Sequence, residues 1–554
     1  MKKLQFCFVT VILLITAVSC KTVNHQPASM IITNARIWTG NPGQPYAKAM
    51  AVSGDTIVAV GSNSEAMKYR ADSTTMLDMQ GRFVTPGFID SHVHMLQGGL
   101  DLTSVQLRGA ATPEEFIKRI ADFASGLKPG TWILGGNWDE KDWGRMPEKG
   151  WIDSVTPDNP VFVSRLDGHM GLANSLAMKL AGVDRKVKDI SGGAISRNAA
   201  GEPTGIFRDN AMDLIYNKIP SASEEETDNA LVAAMNYFAG NGVTSVHSVD
   251  AGAYLDAIDR VRSKSGLITR IYAMVPLAYW KKLAEKIETN GKGDDWVKVG
   301  GVKGFVDGSL GSHTAAFLEP YSDLVTDSGL FVNTGEDLYK WISNSDSAGL
   351  QVMIHAIGDR AVNFLLNTYE QVEKENGDRD RRFRIEHSQH IAASDIPRYA
   401  SLKVIASMQP YHAIDDGRWA ERYIGPERIR TTYAFRSLLD SGAKLAFGSD
   451  WPVAPATPLE GIYAAVTRRT LDDKNPGGWI PEQKITVEEA LRAYTKDAAY
   501  ASFDENIKGT LEPGKLADFV VLDQDITAID PVTIRDVKIL QTFVAGRKVF
   551  DSNK

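Results

Sequence analysis

Eight apolar, β-prone runs recur along the middle of the chain, and helix-like segments separate most of them. This alternation limits the fold more than any other feature. The runs lie near residues 83–94, 242–249, 268–275, 297–306, 350–355, 382–387, 403–409 and 444–450. Residues 230–239 and 359–374 are examples of the helical spacing between them. Strand–helix alternation is the pattern of a parallel sheet, and eight repeats is the number that closes a (β/α)8, or TIM, barrel. The 554 residues allow one such barrel of the α/β class plus a smaller unit.

The two ends of the chain read differently. Residues 30–82 and 505–554 are rich in strand signals, with hairpin cues at Ser53-Gly54-Asp55 and near Gly546. Two β-rich ends around an α/β middle predict one small β-sandwich built from both termini, with the barrel over 83–504. Between the first and second barrel strands lie residues 98–223. That is too long for a loop and is expected to be a folded insertion over the barrel mouth. Trp132, Trp138 and Trp143 fall in it, suited either to lining an apolar pocket or to packing the insertion.

The first 19 residues carry a targeting pattern. Lys2 and Lys3 precede an almost wholly apolar run from Phe6 to Val18, shorter than the ~20 residues of a membrane span. The run ends at Ala17-Val18-Ser19-Cys20, which resembles a bacterial lipobox in which Cys20 becomes the lipidated first residue. Ala17 stands where Leu is commoner, and an ordinary cleaved signal is the competing reading. Cys7 and Cys20 are the two cysteines of the chain, so the sequence after Cys20 holds no disulfide and no thiol ligand. Residues 20–29 read as a short polar tether. The expectation is an exported protein, lipid-anchored to a bacterial membrane. The net charge of −8 without a basic stripe argues against a nucleic-acid partner.

Five of the ten histidines, His92, His94, His247, His355 and His387, stand at or near the C-terminal ends of the predicted strands, and Asp450 ends the eighth. In a TIM barrel that end carries the chemistry. Residues i and i+2 of a strand face the same side, so His92 and His94 both point toward the barrel axis as a two-donor metal site. Imidazole and carboxylate oxygen suit zinc, which can acidify a bound water at an open coordination position.

The motifs themselves are similar to those of a known family. Val84-Thr85-Pro86-Gly87-Phe88-Ile89-Asp90-Ser91-His92-Val93-His94 resembles the first-strand signature of the amidohydrolase superfamily. Ile354-His355-Ala356-Ile357-Gly358-Asp359, Arg384-Ile385-Glu386-His387, Gln409-Pro410-Tyr411-His412 and Phe447-Gly448-Ser449-Asp450-Trp451-Pro452 resemble the branch that includes N-substituted formamide deformylases. The segment from Gly509 to Val520 is similar to the closing sandwich segment of that superfamily.

This resemblance implies a metal-dependent hydrolase that cleaves a C–N bond of a small molecule. His92, His94, His355, His387 and Asp450 match its metal ligands. Lys303 falls on the lysine that some relatives carboxylate to bridge two metals; an inward lysine balancing Asp307 or Asp450 is the alternative, so one or two divalent ions fit. Asp450 is also the expected catalytic residue, taking a proton from the attacking water and returning it to the leaving nitrogen. His169, His313 and His412 are candidate substrate contacts, although His313 stands where relatives typically have Arg. His390 reads as a surface residue. Ester or lactone hydrolysis on the same site, or a catalytically dead surface binding protein, are the competing functions. The full set of ligand residues argues against the last.

Overall fold

The structure, a computed structural model, describes residues 26–138, 140, 143–165, 170–190, 193–264 and 266–553. The signal segment, Cys20 and His169 lie outside the described residues. Among the described residues, no helix is long and apolar enough to cross a membrane.

Eight parallel strands form the central sheet: β1 (Phe88–Val93), β2 (Val243–Ser248), β3 (Arg270–Pro276), β4 (Val297–Phe305), β5 (Gln351–Ala356), β6 (Arg384–His387), β7 (Ile405–Met408) and β8 (Lys444–Phe447). Each pairs in parallel with its neighbour in sequence. The ring closes where β8 runs out: the Asp450 amide donates to the His92 carbonyl at 2.7 Å, and the His94 amide to the Trp451 carbonyl at 2.8 Å. The strands are buried along nearly their whole length, as expected of a parallel sheet with helices on its outer face. Helices Glu224–Gly240 and Asp359–Asn376 cover the two stretches in which helical spacing is predicted.

Strands from both ends of the chain interleave in the sandwich. One sheet holds Thr56–Gly61, Ala49–Ser53, Met30–Thr33 and Thr75–Asp78; the other holds Arg547–Asp551, Ile539–Val544, Phe519–Leu522, Phe83–Pro86, Arg36–Trp38 and Tyr46–Ala47. Phe83–Pro86 pairs antiparallel with Phe519–Leu522, which joins the termini. Buried Arg270, at the start of β3, forms a two-pronged ion pair with Asp518 (2.6 and 3.1 Å) that ties barrel to sandwich.

Two predicted boundaries need correction. The run 83–94 is two strands in two sheets, so the sandwich extends to Pro86 rather than residue 82; the chain passes between the sheets at Gly87, whose amide donates to the Asp518 carbonyl at 2.9 Å. The tether does not reach residue 29. Ala28 is 1% exposed and its amide donates to the Tyr69 carbonyl, while Ser29 bonds to Val52 and Thr75.

The insertion leaves after helix Met95–Leu102 and returns at Ser223, which caps helix Glu224–Gly240. It has its own six-stranded sheet and its own apolar core. Trp138 and Trp143 belong to that core, each donating its indole N–H to a backbone carbonyl at 2.9 Å, and Trp132 packs on a neighbouring cluster. The tryptophans therefore pack the insertion.

Candidate metal centre

The C-terminal ends of β1, β6 and β8 converge on one cluster of donors. Asp450 Oδ1 lies 3.4 Å from Nε2 of His92 and 3.4 Å from Nε2 of His94. His92 is fully buried, whereas the His94 side chain is about one-third exposed (33%) and forms the solvent side of the cluster. A second group of donors shares the same carboxylate: His387, His412 and Asp450 each offer an atom within 4.8 Å of the others.

Local backbone geometry explains how these side chains converge. Alternation along β6 places Arg384 and Glu386 on one side and would send His387 to the other. His387 instead has φ +73°, and Asp450 has φ +62°. Non-glycine residues rarely adopt this left-handed conformation, which clusters at functional sites. At Asp450 it is held by the surroundings. Trp451 stacks on Tyr237, meets Phe238 edge-on, and lies against helix Met95–Leu102 so closely that a Cβ at Gly98 would fall 2.3 Å from its ring. Gly448 is needed for a similar reason: a Cβ there would meet the His92 amide nitrogen at 2.6 Å.

Beneath the donors lies a polar layer that residue-by-residue sequence reading missed. Glu386 accepts from His92 Nδ1 at 2.5 Å, which leaves the lone pair on Nε2, facing Asp450. Arg384 bonds to Glu386, the Ser91 carbonyl, Ser407 and His247 Nδ1. Burial opposes the charge on Glu386, but the Arg384 charge and the hydrogen bond from His92 outweigh it and hold the carboxyl well below its usual range. Asp90 accepts from the Ser449 amide, the Ser449 hydroxyl and the His92 amide, so it links β1 to the turn that carries Asp450; burial nonetheless pushes it up to about 7. The visible signal for Glu386 was its place two residues after Arg384 on an inner strand, but a cross-strand partner is not readable from spacing.

The electrostatics favour neutral imidazoles beside an ionised carboxylate. Burial, then the neighbouring Lys303, push His92 down to about 4. Burial also pushes His355 down to about 3, His387 well below the usual value, and His412 downward. Asp450 is held well below the ordinary carboxylate range: burial would raise it, but its hydrogen bond from His94 opposes this. This is the donor state a cation requires. Nε2 of His412 is buried without a hydrogen-bond partner among the described residues, and Gln409 bonds His387 Nδ1 at 2.9 Å, leaving Nε2 available. The residues fit a divalent metal ion.

The other sequence-predicted residues fall as follows. Lys303 is buried on β4, its Nζ 3.3 Å from His92 Nε2, and burial lowers its amine toward the neutral form. His355 stacks edge-on against His387 (4.4 Å between ring centres); its Nε2 donates to the Gly308 carbonyl at 3.1 Å, so Nδ1 keeps the lone pair. His412 joins the donor cluster directly. His313 does not: its ring bonds Asp323 at 3.1 Å and packs between Tyr321 and Tyr423. His390 is buried rather than on the surface, bonded to Thr432 at 2.8 Å. His247 is a buried partner of Arg384.

Comparison with known proteins places the chain in a family. The chain is 41% identical to "Protein LONG AFTER FAR-RED 3" of Arabidopsis thaliana, covering 94% of this chain and 92% of that protein. It is 28% identical to an N-substituted formamide deformylase of Arthrobacter pascens, over 94% and 98%. A crystal structure of an uncharacterized metal-dependent hydrolase from Pyrococcus furiosus superposes with a TM-score of 0.75 at 30% identity, over 91% of this chain and 99% of that one. The model of the amidohydrolase family matches residues 75–550, a span that takes in every donor of the cluster. This chain belongs to that family of metal-dependent hydrolases.

Proposed function

We propose that this protein hydrolyses a carbon–nitrogen bond, of the amide or formamide type, in a small molecule, with zinc as the metal. The observation that carries this reading is Asp450 Oδ1, 3.4 Å from Nε2 of both His92 and His94. His92, His94 and Asp450 would hold one ion; His387 and His355, with a carboxylated Lys303, would hold a second. A divalent ion there supplies Lewis acidity toward a carbonyl group and a water molecule.

The chain's own residues account for the rest. Asp450 stays ionised between its histidine neighbours, so its carboxylate can take a proton at Oδ1 or Oδ2 from the attacking water and return it to the departing nitrogen. Glu386 and Arg384 fix the tautomer and direction of His92. His94 faces solvent, which marks the side from which a substrate enters. Lys303 is buried and its amine is lowered, the direction that favours the neutral form that reacts with carbon dioxide. The similarity to an N-substituted formamide deformylase supports the choice of bond. Cys20 would carry a lipid that anchors the exported protein to the membrane.

A panel of N-formyl, N-acyl, ester and lactone compounds tests the proposal. Metal-dependent release of amine from an N-formyl or N-acyl member is expected. Turnover confined to esters and lactones overturns the choice of bond.

A further inference from the structure

We infer that Phe305 is the specificity-determining wall of the site, and that it selects substrates carrying an aromatic or bulky apolar substituent next to the reacting carbonyl. The inference rests on the hydrolase reading above and deepens it.

β4 is the carrier. Lys303 and Phe305 are two residues apart on this inner strand, so both side chains project to the same side, with Phe305 one step nearer the mouth. Lys303 is buried, whereas Phe305 is 41% exposed at the last position of the strand. The register places Phe305 opposite His355 on β5. The two rings are 5.2 Å apart, and the Phe305 ring centre lies 4.5 Å from Lys303 Nζ. The aromatic face is therefore continuous with the donor cluster.

Single exposed apolar residues are ordinary on a protein surface. Phe305 differs because it borders the reacting groups and because its apolar surroundings extend outward. The Val332 amide donates to the Val306 carbonyl at 2.8 Å, and Asn333 Nδ2 to the Phe305 carbonyl at 3.0 Å, so the segment that follows Leu330 is laced to the end of β4. Leu330 and Val332 are both about half exposed. We take Phe305, with Leu330 and Val332 on the segment bonded beside it, as an apolar shelf at the mouth of the site. Binding sites commonly combine an apolar wall with a few polar reacting groups. The occupant that fits is the non-reacting, apolar part of the substrate. Covering an exposed ring with another ring removes apolar surface from water and adds the preference of aromatic faces for each other.

Hydroxamates test this without knowledge of the substrate, because they chelate a divalent ion through two oxygens whatever bond the enzyme cleaves. Acetohydroxamate and benzohydroxamate would be titrated calorimetrically into zinc-loaded enzyme. The wild type is expected to prefer benzohydroxamate by about tenfold. Phe305→Ala should lose most of that preference while acetohydroxamate affinity and metal content stay within about twofold; Phe305→Tyr should keep it. An equal affinity of the wild type for both compounds overturns the inference and leaves the metal centre intact, and this arm needs no variant. Binding of neither compound overturns the metal centre and this inference together. An unchanged preference in Phe305→Ala with a lower sedimentation mass assigns the shelf to a second copy of the chain, which also overturns it.

Discussion

Glu386 Oε2 lies 2.5 Å from Nδ1 of His92, with both side chains wholly buried. The bond fixes which nitrogen of His92 faces the donor cluster, and Arg384 in turn holds Glu386 on two sides. Metal-ligating histidines commonly depend on such a partner, and its loss costs 10- to 100-fold in metal affinity. Glu386→Gln is expected to weaken zinc binding by about that factor in competition with a chromophoric chelator, while keeping the fold. Unchanged affinity would mean that His92 is oriented by the barrel alone.

Lys303→Ala separates the two readings of that lysine. If a carboxylated Lys303 bridges two ions, the variant loses metal and turnover together, and acetate or propionate partly restores both by occupying the vacated space. If Lys303 is a buried cation opposite Asp450, the variant keeps its metal and added acids do nothing. Metal analysis with and without propionate distinguishes these outcomes.

Asp450→Asn is expected to fail in a different way. The amide retains an oxygen that faces His92 and His94 but cannot carry the proton. Turnover should fall by ~10²-fold or more, with a smaller loss of metal than in His92→Ala. Steady-state kinetics on metal-replete protein provides the check. Equal losses of metal in the two variants would assign Asp450 to holding the ion alone.

The barrel was legible because strand–helix alternation repeats eight times and the chemistry-bearing residues punctuate its strands. The junction at Gly87 was not, because Phe83–Pro86 and Phe88–Val93 are both buried on two faces and alternation carries no mark where one sheet hands over to the next. The candidate ligand histidines stood out by their place at strand ends and by their match to family motifs. Their supports, Glu386, Arg384 and Asp90, did not, since each acts through a contact with another strand. His412 was visible as a motif, yet its convergence with Asp450 depends on two left-handed residues and a helix whose placement spacing does not encode. His390 looked peripheral because it follows a strand end, but Tyr433 and Phe317 close over it.

That burial gives a pH prediction away from the metal donors. Burial pushes His390 down to about 3, so the native state keeps it neutral while the unfolded chain takes up a proton below its ordinary value near 6.5. A histidine lowered in the fold makes stability rise with pH, so stability is lost as pH falls from about 6.5 toward 3. His390→Gln should make the fall in melting temperature between pH 6.5 and 4 shallower, by about one proton taken up on unfolding. Calorimetric melts across that range test this, and an unchanged slope would show that His390 titrates in the native state.

On the proposed function, C–N bond hydrolysis would run on a metal held by His92, His94 and Asp450. The most direct measurement is metal content by mass spectrometry alongside hydrolysis of an N-formyl compound, for the purified wild type, the chelator-treated wild type and His92→Ala. The expected result is bound divalent metal with hydrolysis in the wild type, loss of both on chelation, recovery of both with zinc, and neither in His92→Ala. Hydrolysis that continues in metal-free protein, or in His92→Ala at the wild-type rate, would contradict it.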